Sequence, residues 1–181
     1  SNGIAGVAFA TQPVVTLQDA SGIAVAGTAQ NVTLAIQNNA GPGGVLSGTT
    51  TAAVNTTTGR ATFSGLSIDK AGTGYTLTAT GSTVSTTLGV VVSNAFNITA
   101  GALHHFTFNT ISSPQTAGTA FNVTVTAYDI LNNVVTGFSG GNDKASISST
   151  GTLSGGTFNS DAFTDGVLIQ SVTITNTGNF T

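Results

Sequence analysis

The chain has 181 residues, enough for one large or two small domains, and 39% of them are hydrophobic, enough to build cores. Only 5% are charged, with Lys+Arg 3 against Asp+Glu 6, which excludes an electrostatic nucleic-acid binder, since that needs clustered Lys and Arg to displace phosphate counterions. The same composition argues against a disordered chain, and no apolar run reaches the ~18 residues that membrane insertion as a helix requires.

Gly 24, abundant Thr and Ser, and the absence of Cys, Met and Trp point to many short strands joined by turns. Neither a signal peptide nor an initiator Met opens the chain, so it reads as part of a mature chain whose export signal is already gone. In chain order, strict two-residue alternation predicts strands over 31–36, 74–79, 95–99, 121–127 and 171–175. Their inward positions are Val32, Leu34, Ile36, Tyr75, Leu77, Phe96, Ile98, Phe121, Val123, Val125, Val172 and Ile174. The outward positions include Thr rows, Thr76-Thr78-Thr80, Thr124-Thr126 and Thr173-Thr175, which suit a wet strand face. Helical spacing of apolar residues is absent throughout. Short strands at intervals of about ten residues, separated by Gly, Asn and Asp turns, predict an all-β fold of antiparallel sandwiches.

The chain also says nearly the same thing twice. Phe9 aligns with Phe121 at an offset of 112, Gly27 with Gly137 at 110, Leu46-Ser47-Gly48 with Leu153-Ser154-Gly155 at 107, and Ile68 with Ile174 at 106. The small drift places insertions between strands, so two copies of one module of about a hundred residues stand in tandem. The expected domains are residues 1–101 and 102–181, divided near Ala100-Gly101-Ala102 by a connection short enough to make a semi-rigid rod.

Neither copy is complete. The second opens with a strand, Leu103 to Thr110, that has no counterpart before Ala5. The first closes with strands, Leu77 to Thr80 and Ala95 to Thr99, that have no counterpart after Thr181. Three explanations stand open: a window cut from a longer array, completion by a strand donated from a neighbouring subunit, or an artificially placed chain end.

The segments AGTAFNVTVTAYD, DASG, TGRATFSGLSIDKAGTGYTLTAT and SNAFNITAG carry a resemblance. They look like the tandem immunoglobulin-like repeats of bacterial surface proteins, the invasin and intimin type of adhesin and related extracellular repeat proteins. The resemblance covers nearly the whole chain and implies two immunoglobulin-like β-sandwiches, an extracellular or cell-surface location, and service as stalk, spacer, fibre subunit or ligand binder. Where such repeats often carry Gly-Asn after the turn Asp, this chain has Ser21-Gly22 after Asp19 and Asn132-Asn133 after Asp129.

Residues that could carry chemistry are few. Asp19 and Asp129 hold the same place in each copy, where an Asp side chain bonds its own turn backbone; the competing role is a Ca²⁺ ligand at a domain junction. Asp161 and Asp165, with Asp143, form the other weak candidate for a cation, at a spacing that fits no loop motif. His104 and His105 are adjacent, and on a regular strand they point to opposite faces, so they cannot chelate one ion there; one ring is expected against the core edge beside Phe106 and Phe108, the other in solvent. Six scattered Asp, no Glu, no Cys and no Gly-x-Ser-x-Gly elbow leave no catalytic residue and no cofactor motif, so the chain is not expected to be an enzyme. Acceptor sequons occur at Asn31, Asn55, Asn97, Asn122 and Asn179, four of the five on an outward strand phase.

The charge deficit weighs most. An exposed small domain carries roughly a quarter charged residues, so a surface this neutral is expected to be covered by sugar, by copies of itself or by adjacent repeats. The expected function is therefore a structural module of an extracellular filament, sheath, surface layer or adhesin stalk, with a host or surface ligand left open. The alternative is a carbohydrate- or ligand-binding accessory module, for which Tyr128 is the one outward aromatic platform, Tyr75 being inward.

Overall fold

The computed structural model describes residues 2–82 and 89–180, in two compact units, Ser1–Gly101 and Ala102–Thr181. Every regular element among the described residues is a strand. No helix is long and apolar enough to cross a membrane.

The first unit contains β1 (Gly3–Ile4), β2 (Val14–Thr16), β3 (Asn31–Asn38), β4 (Leu46–Ser47), β5 (Thr51–Ala53), β6 (Arg60–Thr62), β7 (Ser67–Ile68), β8 (Gly72–Ser82), β9 (Val91–Val92) and β10 (Phe96–Thr99). One sheet has the order β1-β10-β8-β3-β5, with β9 also on β8; β2 pairs with β6 and β4 with β7. All pairs are antiparallel except β1 with β10, which run parallel with Gly3 opposite Ile98 and Ile4 opposite Thr99. Alternation does its work in β3, where Val32 and Leu34 are buried and Asn31, Thr33 and Ala35 are exposed. Those two side chains meet Val54, Ala61, Phe63, Leu66 and Ala79, so strands from both sets of sheets close on one core, in sandwich fashion.

Tyr75 is the largest buried side chain. On β8, it stacks on Phe96 at 6.1 Å between ring centroids and donates its hydroxyl to Lys70 O at 2.9 Å. Burial pushes its pKa above the ordinary value and the Asp69 carboxylate adds to this, against a lowering by the Gly41 backbone. A raised phenol pKa means that the folded state holds its proton longer than the unfolded chain, so this contribution is complete below about pH 10 and is lost as pH rises beyond it. Denaturant titrations are expected to show stability falling above pH 10, and Tyr75→Phe to remove part of that fall at a cost of about 1 kcal/mol at neutral pH.

The second unit contains β11 (His105–Phe108), β12 (Phe121–Tyr128), β13 (Ser146–Ile147), β14 (Phe158–Asn159) and β15 (Val167–Val172). Its three-stranded sheet has the order β11-β12-β15, and β13 pairs with β14. Val123, Val125, Ala127, Ile147, Leu153, Phe163, Leu168 and Val172 make the core. Each inward position expected from sequence is buried or half-buried in its unit.

Several backbone pairings recur in both units. Val15 lies opposite Ala61 and Thr16 opposite Arg60, as Val125 lies opposite Leu168 and Thr126 opposite Val167. The Val25 N–H donates to Leu17 O, and the Val135 N–H to Ala127 O. Leu46 faces Ile68, and Leu153 faces Ile174. The Gly6 N–H donates to Ile68 O, and the Gly118 N–H to Ile174 O. Even the glycines agree: Gly59 (φ 66) and Gly166 (φ 77) hold left-handed backbone, and a Cβ on either would run into a carbonyl, of Val25 and of Val135 respectively.

Two expectations need correction. The strand expected over 171–175 runs instead from Val167 to Val172, because the chain leaves β12 after Phe121 pairs with Val172 and Ile174 turns to Leu153. Thr126, expected in solvent, is buried at 7%, since it lies in the central strand between Thr107 of β11 and Val167 of β15.

Candidate functional site

The two Asp turns are the most closely matched polar feature of the units. Asp19 Oδ1 accepts from the backbone N–H of Ser21 and of Ile23, both at 2.9 Å, and Asp129 Oδ1 accepts from those of Leu131 and Asn133, both at 2.8 Å. An Asp side chain that caps its own turn in this way substitutes for a strand partner at the bend. Burial separates them: Asp19 is exposed, whereas Asp129 is 1% exposed and its Oδ2 also accepts from Asn133 Nδ2 at 3.0 Å.

The other acids lie apart from these turns in role. Asp165 (φ 49) and Gly166 form a two-residue hairpin turn between Thr164 and Val167, the geometry that Asp-Gly favours. Asp161 is exposed, with its backbone N–H donating to Gln170 Oε1 at 2.7 Å. Asp143 Oδ2 accepts from the Ser139 N–H at 3.0 Å. Among the described residues no group of three or more His, Cys, Asp or Glu side chains converges as a metal site would require.

The His pair differs from expectation. His104 lies just outside β11, so strand alternation does not govern it, and its Nδ1 comes within 3.1 Å of His105 Nδ1 instead of pointing to the opposite face. His105 leans on Tyr128, ring centroids 5.6 Å apart, and not on the core edge beside the Phe residues. Phe106 packs instead against Phe138 and Phe163.

The sequon residues fall into three settings. Asn31 and Asn122 stand exposed on β3 and β12. Asn55 caps a turn, its Oδ1 accepting from the N–H of Thr57 and Thr58, and Asn97 is half-buried with its Oδ1 accepting from the Gly74 N–H at 3.0 Å. Asn179 is exposed, and the Thr181 of its sequon lies outside the described residues.

The structure has an apolar groove in each unit, whose lining residues sequence reasoning did not name. In the first, a groove of about 710 Å³ runs beside β2, between Val14 and Val15 on one side and Val91 and Val92 on the other, over Leu34 and Leu77. Val91 is 63% and Val14 54% exposed. In the second unit a groove of about 530 Å³ opens over Val123, Ile147, Leu153 and Val172.

Comparison with known protein families, with curated proteins and with solved structures found no match to this chain.

Proposed function

We propose that the chain is a pair of tandem immunoglobulin-like repeats from an extracellular or cell-surface protein whose role is structural: a module of a filament, sheath, surface layer or adhesin stalk. The reading rests above all on the correspondence of the units, in which Leu46 facing Ile68 is matched by Leu153 facing Ile174, and Thr16 facing Arg60 by Thr126 facing Val167. Two units that share these pairings fit the stacked modules of a repeat protein. The neutral surface supports association: 5% charged residues give little mutual repulsion between copies. The carbohydrate-binding alternative has little to stand on, since Tyr75 is buried and Tyr128 is half-buried under His105.

Sedimentation of the 17.8 kDa chain over a hundredfold concentration range tests this reading. The sedimentation coefficient is expected to rise with concentration, and to do so equally at ~50 mM and ~500 mM salt, because screening affects only charge-driven contacts. A well-behaved monomer at the highest concentration would sink the associative function.

A further inference from the structure

Alternation keeps two neighbouring His side chains from meeting one ion only where both belong to the strand. His104 precedes β11. Its backbone still joins the sheet, the N–H donating to Tyr128 O at 2.8 Å, but its ring turns toward that of His105. The two Nδ1 atoms stand 3.1 Å apart and the ring centroids 5.3 Å. Such a contact holds one proton: one Nδ1–H donates, and the other Nδ1 offers its lone pair. His105 is half-buried and stacks on Tyr128 at 5.6 Å between centroids, whereas His104 is exposed, so its ring has room to tilt. Among the described residues neither ring has another hydrogen-bond partner. Residues 101–109 and 121–135, which carry β11, β12 and the turn after it, contain no Lys or Arg. Their single acid is Asp129, whose carboxylate is engaged by its own turn.

We propose that His104 and His105 form a two-imidazole chelate for a late first-row divalent metal ion, Cu²⁺ in preference to Ni²⁺ and Zn²⁺. Metal–imidazole bonds of about 2.0–2.1 Å that start from nitrogens 3.1 Å apart meet at the ion at roughly 95–102°, between the ~90° of square-planar or octahedral neighbours and the ~109° of a tetrahedron. The spacing therefore already suits two adjacent ligands of one ion. In the metal-free pair the two lone pairs face each other across the shared proton. On binding, the exposed His104 ring tilts so that both Nδ1 lone pairs reach the ion. The bridging proton passes to water and the ring that held it takes one from water at Nε2, so both rings bind as neutral Nε2–H tautomers. Imidazole nitrogen sets the selectivity: Mg²⁺ and Ca²⁺ take oxygen ligands and are passed over, and among the later ions affinity peaks at Cu²⁺. No Lys or Arg in the surrounding segments repels the ion. Among the described residues no third His, Cys, Asp or Glu joins the pair, so water fills the remaining positions and the ion exchanges readily.

Titration of the intact chain with cupric or zinc chloride, followed by calorimetry and, for Cu²⁺, by electron paramagnetic resonance, tests the proposal. One Cu²⁺ per chain is expected, its spectrum split by two nitrogens, with Zn²⁺ bound at the same place at least tenfold more weakly. His104→Ala, at an exposed position, and His105→Phe, which keeps a ring to stack on Tyr128, should each weaken Cu²⁺ binding at least tenfold and leave splitting from one nitrogen. Amide spectra of both variants should keep the dispersion of residues 102–181; if His105→Phe loses it, His104→Ala decides alone. Cu²⁺ held as tightly by His104→Ala as by the wild-type chain would overturn the proposal. So would splitting from a single nitrogen in the wild-type chain, or displacement of Cu²⁺ by Ca²⁺.

Discussion

Val125→Asp is expected to unfold the second unit, while Thr124→Asp, one residue away, leaves it folded. Val125 is 2% exposed and packs among Val123, Ala127, Phe163 and Leu168 in the core. A carboxylate there finds no water and no partner, and burying it costs upwards of about 4 kcal/mol, comparable with the whole stability of a small unit. Thr124 lies opposite Ile169, itself 65% exposed, so an Asp on that face stays hydrated and costs about 1 kcal/mol through lost strand preference. Amide spectra of the two variants check this: Val125→Asp should collapse the dispersion of residues 102–181 and leave those of the first unit dispersed. The reverse pattern would mean that β12 is inside out, because a one-residue slip exchanges every inward for every outward side chain.

The second large effect is expected from the matched turn acids. Asp129→Ala should destabilise the second unit by about 2–4 kcal/mol, and Asp19→Ala the first by about 1 kcal/mol or less. Both carboxylates accept two backbone N–H bonds in the same geometry. Removing Asp129 strands buried donors, including that of Asn133, which is 6% exposed, and unsatisfied buried donors carry the full desolvation cost. Around Asp19 the turn is exposed, so water replaces the lost acceptor. Asp129→Asn keeps an acceptor oxygen and should recover most of the loss. Denaturant unfolding of each variant, with and without a chelator, also tests the competing role, for a chelator that destabilises the wild-type chain as much as Asp129→Ala would make this carboxylate a Ca²⁺ ligand.

What could be read in advance depended on length of pattern. β3 and β12, eight residues each, carry enough alternation that one face is unmistakable. Strands of two or three residues, such as β4, β7, β13 and β14, contain too few alternations to stand out from a Thr-rich loop, and their pairing is decided by partners distant in sequence. Thr126 and Ile174 show the same limit. Their polarity was read correctly, but burial of the first by flanking strands and the change of partner by the second are tertiary facts. For the sites, the turn acids were legible because Asp19 and Asp129 recur at one repeat position. For the His pair, the solvent-exposed ring of His104 was read correctly, but the place of His105 against Tyr128 was not, since the alternation rule was applied one residue beyond the strand it governs. Of the grooves, the part played by β9 could not be read, because Val91-Val92 shows no period of its own.

The parallel pairing of β1 with β10 has a mechanical consequence. β1 (Gly3–Ile4) and β10 (Phe96–Thr99) are the first and last strands of the first unit, and parallel strands pulled from opposite ends slide past one another along their length. Their bonds, including Ala5 N–H to Thr99 O at 2.8 Å and Thr99 Oγ1 to Gly3 O at 3.2 Å, lie across the direction of pull. Such bonds share the load and must yield together, whereas an antiparallel hairpin pulled from its open end parts one rung at a time. Under a pull of that kind this short ladder would resist as a shear clamp and not as a zipper.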